Sequence, residues 1–594
     1  MNIIGRLFLL LALLCFVADV QAGEHKGGKD KNTLRKAADN DVYDFIGINS
    51  ILMWMSNNGS TAHNPMSDGS GLEWPRGSAK YVVFQDGLIW GGTVGGEIRV
   101  GGSTYRQGLQ AGNILADGSP ADPSDPVHRI YKVRKLSKEE FGRMSGDEQV
   151  RLRTDFEEWP VQFGAEYSDN DNNGVYNPDF DAWLDGDSNV DTPWLIGDEV
   201  LWFVSNDLDP ARTSNLYGTA PIGVEVQTMV WGYNQTGPLG NMIFSKYTVI
   251  NRGTDDLENA YFAQWSDPDL GDAADDLVGI DTTLSLGYVY NGFARDDVYG
   301  VPPAGGYDFF QGPIVPGDAG DEAIYNFGTI EGWKNLEVSS FAFYINSDPI
   351  YQDPDLGTAE GAIQMYNYLE ARLYDGSAFV DPLTGEEVDI TLAGNPVTNE
   401  GWIDGIVNPP DDRRFLMTTG PFTLHRETDM AAGKLNRQEI VVGRIVGLGS
   451  DRISSLEVLR YYDRFAQLAF DNNFDLPQAP PAPVVEVSTQ PNTILLSWGS
   501  PSSVQATETF NDRGYAFEGY NVYQLPTPSS GLSQARRLAT FDVINNIATI
   551  FDEVIDERTG AVVVLPVQFG TDSGIERVIE ISNDALTDRP LVIN

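Results

Sequence analysis

Two apolar patterns run along this chain. Short runs that alternate apolar and polar residues between Gly, Asn and Asp predict half-buried strands, and unbroken apolar runs predict buried ones. Residues 48–55 are rich in β-formers and stop at Asn57-Asn58-Gly59, a turn signal. Residues 81–84, 88–90 and 97–100 read as a meander, with Asp86-Gly87 and Gly95-Gly96 as its turns. The segment 129–136 alternates cleanly, and 199–204, apolar after Glu199, reads as a buried strand. Residues 224–233, 243–251, 261–265, 336–345, 414–417 and 438–446 continue the β pattern, with Asn251-Arg252-Gly253 as a turn.

Helical spacing is rarer. Ser137-x-x-Glu140 forms a capping box that opens a helical section ending at Pro160, with Leu152, Phe156 and Trp159 on its apolar face. A short helix is expected over 367–374. Ser454-x-x-Glu457 is a second capping box, followed by Leu456, Leu459, Tyr462, Phe465, Ala466 and Ala469 at helical spacing, a packing stripe. The run PQAPPAP at 477–483 is a stiff, extended linker. The expected fold class is mostly β and multidomain, with β-sandwich domains and a few short helices. The divisions expected are a β-rich region with a helical end at 42–160, a central β domain at 161–475, a linker at 476–483 and a last domain at 484–594.

The N-terminus changes the setting. Arg6, an apolar run at 7–17 and Val20-Gln21-Ala22 predict a secretory signal peptide over 1–22, too short to span a bilayer, followed by a flexible leader at 23–41. Cys15 lacks the small residues that precede a lipoprotein cysteine. It is the chain's one cysteine and leaves with the signal, so the mature protein has neither disulfides nor thiol chemistry. No later run is apolar enough for a membrane helix. The expected location is extracellular or on the outer cell surface, without membrane insertion.

Charge narrows the partners. Asp+Glu number 86 against Lys+Arg 39, a formal charge of −47, which argues against nucleic acid and anionic membranes and favours divalent cations. Gly 62 and 11% aromatic residues distinguish a turn-rich β protein from a disordered acidic tail.

The carboxylates are concentrated in two places. Residues 167–191 hold seven aspartates and no Lys or Arg. Asp169, Asp171, Asn173 and Gly174 fit the first half of a calcium loop, in which alternate oxygens serve a hard cation with about 6–8 ligands. The twelfth position is Phe180 rather than Glu, so Asp179 or Asp181 and the Val175 carbonyl are expected to complete the shell. A second knot, SDPDLGDAADDLVGID, offers Asp267, Asp269, Asp272 and Asp276 as a further calcium site. Its string DPDLG recurs at 353–357, a shared turn solution.

Residues 493–498, with Trp498 inward, and 519–523, Gly-Tyr-Asn-Val-Tyr, resemble the B and C strands of a fibronectin type III domain. Strands at 548–551 and 577–581 follow, and the sandwich is expected to be cut short after Asn594. The stretches SNNGSTAHNP, GSGLEWPRGS, FQDGLIWGG, EIRVGGSTYRQGLQAG and RFLMTTGPFTL, with the 438–455 region, resemble large secreted proteins of Gram-negative bacteria that use type IX secretion. That resemblance implies fibronectin repeats and a sorting domain, and brings no catalytic residues.

Enzyme signatures are sparse. His25, His63, His128 and His425 show no zinc-ligand spacing, and there is no Gly-x-Ser-x-Gly elbow. The Gly91-Gly92-x-x-Gly95-Gly96 run lacks phosphate-loop spacing. Two carboxylates beside an aromatic platform would suffice for glycoside hydrolysis, with Trp54, Trp90, Trp183, Trp202 and Trp265 as candidate stacking residues. The leading expectation is a non-enzymatic, calcium-stabilised structural or adhesive protein whose partners are divalent cations, glycans or other surface proteins. The alternative is a carbohydrate-active protein, either a lectin or a glycoside hydrolase.

Overall fold

Alternating and unbroken apolar runs become two kinds of strand in the computed structural model, which describes residues 41–474, 480–499, 501–512, 515–526, 535–555 and 562–592. The signal peptide, nearly all of the leader and the first part of the proline-rich linker lie outside the described residues. Strand makes up 40% and helix 16%, so the protein is mostly β, built from antiparallel sheets. It divides into two units, 1–463 and 464–594.

The first unit rests on two large sheets. One has five strands in the order Val338–Ile345, Arg413–Leu424, Leu257–Asp267, Gln85–Val94, Glu97–Gly102. The other runs Tyr131–Arg134, Glu199–Asn206, Val224–Gly232, Met242–Asn251, Arg437–Gly447, Ala304–Gln311, Leu286–Asn291, Asp276–Asp281, with Gln110–Ala111 as a ninth strand beside Glu199–Asn206. Both sheets contribute to one core. Trp90, Phe262, Trp265 and Met417 come from the first, and Phe203, Val226, Val249 and Ile440 from the second. The sheets run across residue 160, where the sequence suggested a division. Gln85–Val94 pairs with Leu257–Asp267, and Tyr131–Arg134 pairs with Glu199–Asn206.

The central strands Glu199–Asn206, Val224–Gly232 and Met242–Asn251 are buried along their whole length, including the polar residues Glu225, Gln227 and Lys246 that interrupt their apolar runs. Gly95 and Gly96, at φ +59° and +83°, turn Val94 back onto Glu97. Asp86-Gly87 is not a turn. It lies inside Gln85–Val94, and a Cβ on Gly87 would stand 2.5 Å from the Ser103 carbonyl oxygen. The glycine there serves close backbone approach.

Ser137 and Glu140 form the expected capping box on helix Lys138–Arg143, and a second box, Ser145 with Glu148, starts helix Gly146–Glu157. Leu152, Phe156 and Trp159 are buried. The helix expected over 367–374 lies earlier, at Ala359–Leu369, because the Thr358 hydroxyl caps Gly361 N–H. Helix Arg452–Asp471 starts before the expected box. Asp451 Oδ1 accepts from the N–H groups of Ile453 and Ser454, both at 2.9 Å, so the carboxylate takes the capping role from Ser454.

In the second unit, Glu486–Gln490, Thr493–Ser497 and Val578–Ile581 form one sheet. Gly519–Gln524 pairs with Arg536–Asp542, and Thr549–Ile555 with Val562–Phe569. Trp498 is buried against Tyr520 and Phe541.

Candidate metal centres

The acidic loop is pinned at both ends. Tyr167 and Ser168 pair with Pro193 and Thr192, which brings Asp169 close to Asp191. Asp169, Asp171 and Asp191 then present carboxylate oxygens within 4.8 Å of one another. Inside the loop, Asn172 and Gly174 take φ of +58° and +77°. These allow Asn173 N–H to donate to Asp169 Oδ1 at 3.0 Å and Gly174 N–H to Asp169 Oδ2 at 2.8 Å. Asp191 is fully buried and accepts from the N–H groups of Asn170, at 2.9 Å, and Asn177, at 3.0 Å.

The other residues expected here have other roles. Asp179 caps helix Phe180–Leu184 by accepting from Ala182 N–H at 2.9 Å. Asp181 makes a two-pronged pair with Arg153, both contacts 2.7 Å, and this guanidinium lowers its pKa. Asp185 pairs with Lys138. Asn173 spends its amide on Asp171 and Asn177 and its carbonyl on Val175 N–H, while Val175 itself is exposed. The two preceding helices lend the loop cations, Arg153 to Asp181 and Lys138 to Asp185, and Asp179 serves a helix end, so neither Asp179 nor Asp181 joins the group formed by Asp169 and Asp171. Asp191 joins it instead. Its signal was present in the sequence, as the last aspartate of the stretch, next to a strand residue.

The second knot also reorganises. Asp267 ends Leu257–Asp267, and Asp269 follows Pro268. With Asp412, just before Arg413–Leu424, they form a second group of oxygens within 4.8 Å. Asp272 is diverted to capping, accepting from Ala274 N–H at 3.1 Å. Asp276 is fully buried and accepts from Leu270 N–H at 3.1 Å.

One guanidinium stands beside this group. Arg414 Nε is 3.1 Å from Asp267 Oδ1 and 3.8 Å from Asp353 Oδ1, and its Nη1 is 2.9 Å from Asp412 Oδ1. Its Nε also donates to the Tyr105 hydroxyl. The first aspartates of the two DPDLG strings thus meet at one arginine, a convergence that a shared turn does not require. Burial pushes Asp267 well above the usual carboxylate range, against the pull of Arg414, and pushes Asp269 up to about 7. Asp412 was missed in the sequence because it lies far along the chain in a DDRR run that reads as neutral.

Three of the five tryptophans considered for sugar stacking, Trp90, Trp202 and Trp265, are fully buried in the sheets. Trp183 packs on Phe156 and Phe180. Trp54 sits beside the exposed Tyr43 and Phe45. Among the described residues no helix is long and apolar enough to cross a membrane. No protein-family model matches the chain, and no curated protein is significantly similar to it.

Proposed function

We propose that this chain is a non-enzymatic, exported structural or adhesive protein of the cell surface, whose β-sandwich domains are stiffened by calcium. The observation that carries this reading is the closure of the acidic loop on Asp169, Asp171 and Asp191, three carboxylates held together by a ladder and by backbone N–H groups. Such a preformed oxygen cluster suits a hard cation, which would neutralise the loop and lock its ends. A secretory start and the loss of the one cysteine with it leave bound ions as the remaining cross-link in an oxidising compartment. The resemblance to type IX-secreted proteins, and of 484–594 to a fibronectin type III domain, supports placement at the surface. The test is thermal unfolding in calcium and then in excess chelator. An upward shift in calcium, smaller in D169N/D171N, is expected; coincident curves with and without calcium would count against the reading.

A second reading, glycan binding, rests on Trp54 with Tyr43 and Phe45 at the surface. A glycan array separates it from the first.

A further inference from the structure

Three chain segments meet at the acidic group beside Arg414. They are the end of Leu257–Asp267 with its continuation to Leu270, the residues leading into Arg413–Leu424, and the start of Asp276–Asp281. The first two belong to the five-stranded sheet, and the third is the edge strand of the nine-stranded sheet. Asp267, Asp269 and Asp412 bring carboxylate oxygens within 4.8 Å of one another there, and Asp353 Oδ1 is 3.8 Å from Arg414 Nε. Asp267 is fully buried and Asp412 and Asp353 only partly so, and one guanidinium serves them all.

Asp276 supplies an independent observation. It is fully buried, its Oδ2 accepts from Leu270 N–H at 3.1 Å, and its carbonyl accepts from Asp411 N–H at 3.2 Å. Its carboxyl thus touches the segment that carries Asp267 and Asp269 and its backbone the segment that carries Asp412, and Asp269 and Asp412 are among the charges acting on it. Its Oδ1 has no hydrogen-bond donor among the described residues. A buried carboxylate oxygen left in this way is costly unless a positive group reaches it.

We propose that Asp267, Asp269 and Asp412, with the buried Asp276 carboxyl beside them, form a site for one hard divalent cation of the calcium type, which fastens the edge strand of the nine-stranded sheet to the ends of two strands of the five-stranded sheet. The donors are all carboxylate oxygens, with neither imidazole nor thiolate, which suits calcium over zinc or copper. The site extends the calcium reading but does not depend on it, since the loop and the buried site can fill separately.

The test uses the full chain, stripped by chelator, with terbium as the probe and calcium content read by mass spectrometry. Trp265 lies 4.9 Å from the Tyr105 ring, whose hydroxyl bonds Arg414, so tryptophan excitation should sensitise terbium at this site. D169N/D171N, which disables the loop, is expected to retain one slowly released ion. D269N/D412N is expected to lose that ion and its luminescence, and D276N to bind it about tenfold more weakly or worse. No ion bound in D169N/D171N would overturn the proposal, as would a folded D269N/D412N with its full complement. An unchanged affinity in D276N would remove Asp276 from the site. If D269N/D412N does not fold, the stoichiometry of D169N/D171N decides alone. Failure of the loop reading is separate: D169N/D171N would then bind as many ions as the parent chain.

Discussion

Asp86 and Arg444 lie between the two large sheets, where a charge left without its partner is expensive. Asp86 is fully buried, and Arg444 is 1% exposed. Arg444 Nε donates to Asp86 Oδ2 at 2.5 Å and Nη2 to Oδ1 at 3.0 Å. Tyr307 at 2.8 Å and Thr61 also donate to the carboxylate, while Ser245 and Tyr247 accept from the guanidinium. Asp86→Asn keeps the volume, so no cavity term enters, but it leaves a buried guanidinium without a counter-charge and turns an amide N–H₂ toward its donors. The expected cost is about 3–5 kcal/mol, a large share of the about 5–15 kcal/mol typical of a folded domain. Arg444→Met leaves a carboxylate that still has two hydroxyl donors, so about 2–4 kcal/mol is expected. The double variant should cost less than the sum, with a coupling of about 2–3 kcal/mol. Urea unfolding followed by tryptophan emission reads all three, since Trp90 and Trp265 report on the same core. Additivity of the single variants within about 0.5 kcal/mol would refute the view that this pair acts as one charge-balanced link between the sheets.

Three further outcomes follow from the acidic loop and the sheets. Asp179→Ala should cost about 1 kcal/mol through the lost helix cap and leave the calcium-induced melting shift intact. Asp191→Ala, which strands the N–H groups of Asn170 and Asn177, should cost more and reduce that shift as far as D169N/D171N does; a shift as large as the parent chain's would remove Asp191 from the loop site. Burial pushes Asp207 up to about 6 despite N–H donors from Ile222, Gly223 and Val224. Because the folded value lies above the unfolded 3.8, the protonated form is favoured on folding. Its contribution is complete below about pH 4 and is lost as pH rises through about 6, on the order of 3 kcal/mol in all. Urea midpoints in chelator across that range should fall more steeply in the parent chain than in Asp207→Asn, and equal slopes would contradict this.

Features that depend on neighbours in the chain are legible in the sequence itself. Gly95-Gly96 forms the turn it predicts, Ser137 and Glu140 cap a helix, and the apolar stretch at 199–204 is buried throughout. Turn chemistry, capping and apolar periodicity act over a few residues, so the sequence states them directly. Local competition is harder to read. Asp451 displaces Ser454 as a cap, and Gly87 serves strand packing rather than a turn.

What the sequence determined alone was a mostly β chain with two aspartate-rich segments and no cysteine beyond Cys15. Only the tertiary structure decided which aspartates meet. Pairing of Tyr167–Ser168 with Thr192–Pro193 brought Asp191 to Asp169, while Arg153 and a helix end withdrew Asp181 and Asp179. Pairing of Leu257–Asp267 with Arg413–Leu424 carried Asp412 to Asp267 and Asp269. The reason is physical: a carboxylate's role depends on the nearest cation or N–H in space, and sheet register over long stretches of chain sets that distance.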